Sequence, residues 1–231
     1  MFDGLLLIDK PKGWTSFDVV AKVRGVLRAE AKKQGLQKKI KVGHTGTLDP
    51  MATGLLVLAV GAHTKKVPEL TKQDKWYEAV VTLGGTTPTD DAEGEVTAVS
   101  SLVPEEARVV GVVQSYTGEL LQVPPQFSAI KVGGVRSYVA ARAGKEVVLE
   151  ARSVTVYAYK NIVYAYPLLS FVVHVGSGTY IRSLARDIGK ELGTGGYLSE
   201  LRRTEVGAFH VQDALRPENI SSDEILKNLV A

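Results

Sequence analysis

Lys41-Val42-Gly43-His44-Thr45-Gly46-Thr47-Leu48-Asp49-Pro50-Met51-Ala52-Thr53-Gly54-Leu55-Leu56 is the densest chemical signal in the chain. One acid, Asp49, sits among glycines, threonines and a histidine, between two uncharged neighbours. Glycines admit positive φ and let a ligand come close to the backbone. Pro50 restricts Asp49 to extended conformations, which stiffens the loop. Apolar segments flank the stretch, so it reads as a loop between core elements, a common home for catalytic groups. On these residues alone Asp49 is either a catalytic carboxylate or an Asx-turn carboxylate in a tight connection. A phosphate cradle fails on spacing, because the chain contains neither G-x-x-x-x-G-K-[ST] nor G-x-G-x-x-G.

Outward from this loop, Gly4 to Ile8 reads as a short buried strand and Lys10 to Gly13 as a turn. Ser16 is the expected N-cap of a helix running to about Lys33, with Phe17, Val20, Val23 and Leu27 at helical spacing. Leu55 to Val60 and Tyr77 to Leu83 read as strands. Pro104 to Tyr116 looks helical, with proline at its start. Phe127 to Val132, Glu146 to Tyr159 and Leu168 to Val175 are rich in β-branched residues and strand-like. Thr179 to Leu192 reads as a helix ended by Gly193, and Leu198 to Phe209 as a returning strand. Strands outnumber helices without alternating regularly with them. The expectation is an α+β fold with a mixed, largely antiparallel central sheet flanked by helices.

The chain has 231 residues, 45% hydrophobic and 23% charged, enough for a substantial core. It has no cysteine, which excludes disulfides, thiol nucleophiles and cysteine–zinc sites. The four histidines form no metal-ligand array, so no metal is expected. The N-terminus lacks signal-peptide features and no apolar run is long enough to span a membrane, so the expected location is cytoplasmic. The net charge is only +3, but eight basic residues face one acid, Glu30, between Lys22 and Lys41. Such a segment attracts a polyanion, or is a solvated helix face with a basic loop.

The stretch Leu6-Leu7-Ile8-Asp9-Lys10-Pro11-Lys12-Gly13-Trp14-Thr15-Ser16, followed by Gly43 to Leu56, closely resembles the TruB family of bacterial tRNA pseudouridine-55 synthases. The family pattern G-H-T-G-T-L-D-P-x-A-T-G-L-L is matched at every defined position. Lys75-Trp76-Tyr77 resembles its K-x-Y, and Leu83 to Gly94 its L-G-x-x-T-x-T-x-D-x-x-G run. Pro124 to Lys131, Gly178-Thr179-Tyr180-Ile181-Arg182 and Leu201-Arg202-Arg203-Thr204 resemble three further motifs. The resemblance covers roughly residues 4 to 215. It implies a pseudouridine synthase catalytic domain over residues 1–215, an RNA-clasping insertion at about 123–148, and a tail over 216–231. Many family members continue into a PUA-type RNA-binding module. This chain stops at Ala231, so no full module of that kind is expected.

The resemblance also implies the reaction: uridine becomes pseudouridine at position 55 in the T-loop of tRNA, by an aspartate carboxylate and base flipping. No cofactor is expected, since no atoms or electrons are gained or lost. Asp49 is then the essential carboxylate, Arg182 its salt-bridge partner, and Tyr77 the tyrosine that stacks on the base and assists at its C5 proton. His44 matches the histidine that meets the remodelled T-loop. Tyr180 and Leu201 match substrate-contacting positions, while Lys65 and Lys10 are expected to contact phosphate or support the loop. In the insertion, Lys131, Arg136, Arg142 and Lys145 would grip the stem backbone. The expected partner is the T-arm of tRNA, met by a single protein chain. Two other readings share these motifs: a non-catalytic tRNA-binding protein, and a guide-RNA-dependent synthase of the archaeal and eukaryotic type. Intact Asp49, Tyr77 and Arg182 count against the first, and the lack of a C-terminal module against the second.

Overall fold

The computed structural model describes residues 2–36, 40–128, 130–144 and 147–230. In chain order the described strands are β1 (Gly4–Lys10), β2 (Val42–His44), β3 (Thr53–Val60), β4 (Lys75–Leu83), β5 (Gly85–Thr86), β6 (Ala98–Val99), β7 (Gly118–Gln122), β8 (Lys131–Val132), β9 (Val135–Arg136), β10 (Arg152–Ala165), β11 (Leu168–Val175), β12 (Gly196–Val206) and β13 (Phe209–His210). The helices are α1 (Ser16–Lys33), α2 (Val67–Leu70), α3 (Glu106–Ser115), α4 (Ser137–Arg142), α5 (Ile181–Leu192) and α6 (Ser222–Lys227). This is a mixed α+β fold. The chain divides into two compact units, Met1–Tyr77 with Arg202–Ala231, and Glu78–Leu201. No helix among the described residues is long and apolar enough to cross a membrane.

The first unit is organised around β3, which is buried from Gly54 to Val60. β1 pairs with it antiparallel along its whole length, from Gly4 opposite Val60 to Lys10 opposite Gly54. β2 also pairs antiparallel with β3, Val42 opposite Val60 and His44 opposite Leu58. The Asp49 loop is therefore the connection of the β2–β3 hairpin. β12 joins β3 in parallel, Arg202 opposite Thr53 and Arg203 opposite Gly54. Leu5, Leu7, Leu55, Val57, Ala59 and Val206 form a core on one face of these strands. The C-terminal stretch closes the β1 edge: Leu5 and Val230 exchange backbone hydrogen bonds of 2.7 and 2.9 Å, and Leu215 bonds to Leu7 and Asp9.

Helix α1 buries Val20, Val23 and Leu27 as the spacing predicts, together with Val19 and Ala31, but Phe17, read as part of the same spacing, is exposed. Its N-cap differs from expectation. Thr15, not Ser16, caps it in a reciprocal box with Asp18, because an acid three residues after threonine can reach back to the cap amide. Ser16 is left for another task, described below.

In the second unit β10 pairs antiparallel with both β11 and β7. Tyr159 of β10 meets Phe171 of β11 edge to face, with ring centroids 5.2 Å apart. Helix α5 buries Ile181, Leu184, Ala185, Ile188 and Leu192 and ends at Gly193, whose φ of +77° makes it a left-handed C-cap. Two expected strands are shorter than read. Phe127 and Ser128 form a bend, and among the described residues of that run only Lys131–Val132 is strand. The run read from Glu146 becomes strand only at Arg152; Glu146 itself lies outside the described residues. β-branched content signals a half-buried pleat, but it does not supply a pairing partner.

Gly54 joins the loop to β3 at φ +99°, and a Cβ there would stand 2.2 Å from the Arg203 carbonyl oxygen. Both the left-handed backbone and the strand contact demand glycine. Gly54→Ala is therefore expected to lower the unfolding free energy by more than about 2 kcal/mol in urea denaturation. A loss below roughly 0.5 kcal/mol would show that β3 and β12 adjust freely at this point.

Candidate active site

The backbone on both sides of Asp49 is held by side chains from distant parts of the first unit. The Ser16 hydroxyl accepts from the Leu48 amide at 2.8 Å and donates to the Leu48 carbonyl at 3.0 Å, inside a buried pocket. On the other side, the Pro50 carbonyl accepts from the Gly13 amide at 2.8 Å and from Lys10 Nζ at 3.4 Å. Lys10 is completely buried and also donates to the carbonyls of Trp14, 2.7 Å, and Pro11, 3.0 Å. The N-terminal Lys10–Ser16 turn thus brackets the loop one residue before and one residue after Asp49. Asp49 itself is half-buried, and its carbonyl accepts from the Ala52 amide at 3.1 Å, closing the turn.

Arg203 supplies the third support. It is 2% exposed, in β12 opposite Gly54. Its Nε donates to the Leu55 carbonyl at 2.7 Å, and its Nη groups to Gly46, 3.1 Å, and Thr47, 3.5 Å. A buried guanidinium that finds carbonyls in a fixed fork arrangement satisfies both partners. Lys75 lies nearby: its Cε would be 3.8 Å from a Cβ at Gly46, where Arg203 Nη1 would be 3.6 Å away. Lys75 Nζ donates to the carbonyls of Thr71, at 3.1 Å, and Gln73. Burial, reinforced by the Arg203 cation, pushes the Lys75 ammonium down to about 8.

His44 ends β2 at the entrance of the loop. Burial, then the Arg203 charge, holds its imidazole below the usual histidine range. At neutral pH it is a neutral ring, able to stack or exchange hydrogen bonds rather than to act as a fixed cation. Its Nδ1 is buried without a hydrogen-bond partner in the protein. Tyr77 is 7% exposed and lies two residues from Lys75 on β4, so the two share a strand face. Lys65 is exposed on the 3₁₀ segment Gly61–Lys66 that follows β3.

The second unit carries Tyr180, Arg182 and Leu201. Tyr180 is the N-cap residue of α5. Gln122, 3% exposed, holds it by a reciprocal pair: Oε1 accepts from the Tyr180 amide at 2.8 Å and Nε2 donates to its carbonyl at 3.1 Å. Arg182 is 5% exposed. Within this unit its Nη1 stands 3.3 Å from Asp91 Oδ2 and donates to the Thr89 carbonyl at 3.1 Å, while Nη2 donates to the Phe127 carbonyl at 2.9 Å. Ser183 Oγ and Arg186 Nη2 both donate to the Val123 carbonyl at 2.9 Å. The first turns of α5 therefore pin the base of the 123–148 segment. Leu201 is buried on β12. Of the basic residues expected in the insertion, Lys145 lies outside the described residues, as do Lys38 and Lys39 of the earlier basic stretch. Of Lys131, Arg136 and Arg142 the backbone alone is described.

The model of the TruB family pseudouridylate synthase N-terminal domain matches residues 33–181, and that of the tRNA pseudouridylate synthase B C-terminal domain matches residues 182–228. The chain belongs to the TruB family. It is 44% identical over 232 residues to a tRNA pseudouridine synthase B of Thermobifida fusca, covering 96% of this chain and 76% of that protein. It is 48% identical over 223 residues to that of Streptomyces coelicolor, covering 92% and 70%. Among solved structures it is similar to a Cbf5-Nop10-Gar1 complex (TM-score 0.68, 33% identity, 92% of this chain and 52% of that one). It is also similar to an H/ACA RNP bound to a substrate RNA containing 2'-deoxyuridine (TM-score 0.67, 28% identity, 98% and 58%). The chain spans little more than half the length of these two structures' chains. By family it is an isomerase that converts uridine in tRNA to pseudouridine.

Three supporting residues carry no role at the site in the sequence reading. Ser16 reads as a helix cap, Arg203 is quoted within a motif without a task, and Gln122 gives no signal at all. Only Arg203 was within reach, since a second arginine in Leu201-Arg202-Arg203-Thr204 alternates onto the buried face of a strand.

Lys75 offers a direct test of this electrostatic frame. Its proton leaves the folded chain near pH 8 but the unfolded chain at the ordinary 10.5. Between these values the unfolded chain binds more protons, so the residue makes stability rise with pH, by at most roughly 3 kcal/mol. The unfolding free energy of the native protein relative to Lys75→Met is expected to grow from pH 8 to pH 10. A constant difference would mean that Lys75 keeps its proton in the folded state.

Proposed function

We propose that the chain isomerises uridine 55 in the T-loop of tRNA, with Asp49 as the reacting carboxylate. The observation that carries this reading is the bracketing of Leu48 and Pro50 by Ser16, Lys10 and Gly13, which fixes the backbone either side of one half-buried acid. Preorganisation of this kind is what a positioned catalytic group requires. In the reaction the C1′–N1 bond breaks, the uracil turns, and a C1′–C5 bond forms. C5 loses a proton and N1 gains one, so atoms and electrons balance without a redox partner. Asp49 can attack the anomeric carbon, attack the base, or assist formation of a glycal.

The family resemblance assigns the other tasks. Arg182 supplies the cation that keeps Asp49 ionised, and Tyr77 stacks on the flipped base and assists at C5. His44, Tyr180 and Leu201 contact the remodelled loop. Lys65 contacts phosphate, Lys10 supports the loop, and the 123–148 segment grips the stem. The catalytic domain of residues 1–215 works as a single chain in the cytoplasm, where its tRNA substrate is.

Asp49→Asn is expected to abolish pseudouridine formation in a T-arm stem-loop, while the Kd for that RNA changes by less than about threefold. Nucleoside analysis and a binding titration on the same preparation give both values. Retained turnover in the purified variant would remove Asp49 from the chemistry.

A further inference from the structure

The first unit contains a cavity of about 400 Å³ lined by Arg24, Arg28, Lys41, Val42, Gly43 and Thr64, among others. No carboxylate is among its described lining residues. Arg24 and Arg28 are four residues apart on α1 and face it together. Lys41, just ahead of β2, lines it as well. Among the described residues, no acid pairs with any of these three cations. The acid nearest in sequence, Glu30, is engaged elsewhere: it accepts from Gln34 at 2.8 Å and Ser222 at 3.2 Å, and stands 3.9 Å from Lys33. Three like charges gathered round one opening without a counter-charge favour an anion there.

A second observation gives the anion its character. Phe17 lies two helical turns before Arg24 on the same face of α1 and is 63% exposed. The Arg24 guanidinium sits 5.7 Å from its ring centroid. An exposed aromatic ring beside a basic groove is the combination that binds unpaired nucleic acid, the ring stacking on a base while the cations follow the backbone. The lining of the groove runs along β2 as far as Gly43, next to His44 at the entrance of the Asp49 loop. At about 3.3 Å per strand residue, Lys41 and His44 stand roughly 10 Å apart along β2.

We propose that this groove binds the phosphate backbone of the RNA substrate a few nucleotides from the flipped uridine, with Phe17 as a stacking platform for an unpaired base. The proposal rests on the reading that the substrate is RNA, and it gives the basic stretch from Lys22 to Lys41 a defined contact rather than a diffuse charge. Free inorganic phosphate shares the chemistry, and the test separates the two.

The experiment titrates a tRNA transcript against the native protein, Arg24→Ala/Arg28→Ala, Arg24→Lys/Arg28→Lys and Phe17→Ala across a salt series. The double alanine variant is expected to bind at least about tenfold more weakly, with the slope of log K against log salt reduced by roughly 1.5 to 2, the value for two phosphates. The double lysine variant should keep the slope. Phe17→Ala should weaken binding with the slope unchanged, because stacking releases no counterions. Pseudouridine formed by the double alanine variant at saturating tRNA shows that it is folded. Unchanged affinity and slope in that variant would overturn the proposal. So would saturable binding of inorganic phosphate alone that is lost in the variant while its tRNA affinity stays native. A native protein that makes no pseudouridine would defeat the functional reading instead, leaving the binding comparison to decide the groove.

Discussion

Arg203 reaches from β12 to the carbonyls of Gly46, Thr47 and Leu55, and this fork couples a strand near the C-terminus to both ends of the Asp49 loop. The geometry depends on Gly54, because only a residue without Cβ lets β3 and β12 approach closely enough for the parallel pairing that aims Arg203 at the loop. Hydrogen bonds from a charged donor contribute about 1.5 to 3 kcal/mol each, and a buried carbonyl left without its donor costs a comparable amount. Losing the arginine would therefore loosen the loop as well as the strand. Burial, and after it the same charge, lowers the proton affinity of His44 and Lys75, so the frame around Asp49 is electrostatic as well as mechanical.

The supports come from three separate stretches: Lys10 to Ser16, the loop itself, and Arg203. Each is attached to a paired strand or to a capped helix. Ser16 can hold Leu48 because Thr15 and Asp18 have already taken over the capping of α1. In the second unit Gln122 does for Tyr180 what Ser16 does for Leu48, through a reciprocal backbone pair. Arg182 and Arg186 join α5 to the base of the 123–148 segment. In each unit one residue that the family reading places at the RNA, Asp49 in the first and Tyr180 in the second, stands on backbone fixed by buried polar groups, which is how a loop can be both accessible and precise in position.

Much of this was legible in the sequence. Apolar spacing located α1, the Gly193 stop located the end of α5, and a buried apolar run, an alternating run and a β-branched run located β3, β4 and β11 within two residues. The Asp49 loop announced itself by glycine, threonine and proline. Other parts were not legible, for physical reasons. Whether threonine or serine caps α1 depends on which hydroxyl a distant backbone claims, and nothing near Ser16 reveals that Leu48 is its partner. Gln122 carries no periodic or compositional mark, since its task is defined by a residue 58 positions away. The 127–132 run shows the opposite failure: of its described residues, only Lys131 and Val132 find a strand to pair with, the short β9.

The account's central claim is that this chain, by itself, delivers one carboxylate to one uridine. The most direct test is mass-mapping of pseudouridine in a T-arm stem-loop incubated with the purified protein and no other RNA. The account predicts a single pseudouridine at the T-loop position 55. Absence of product, product at scattered uridines, or product only after a guide RNA is added would contradict it.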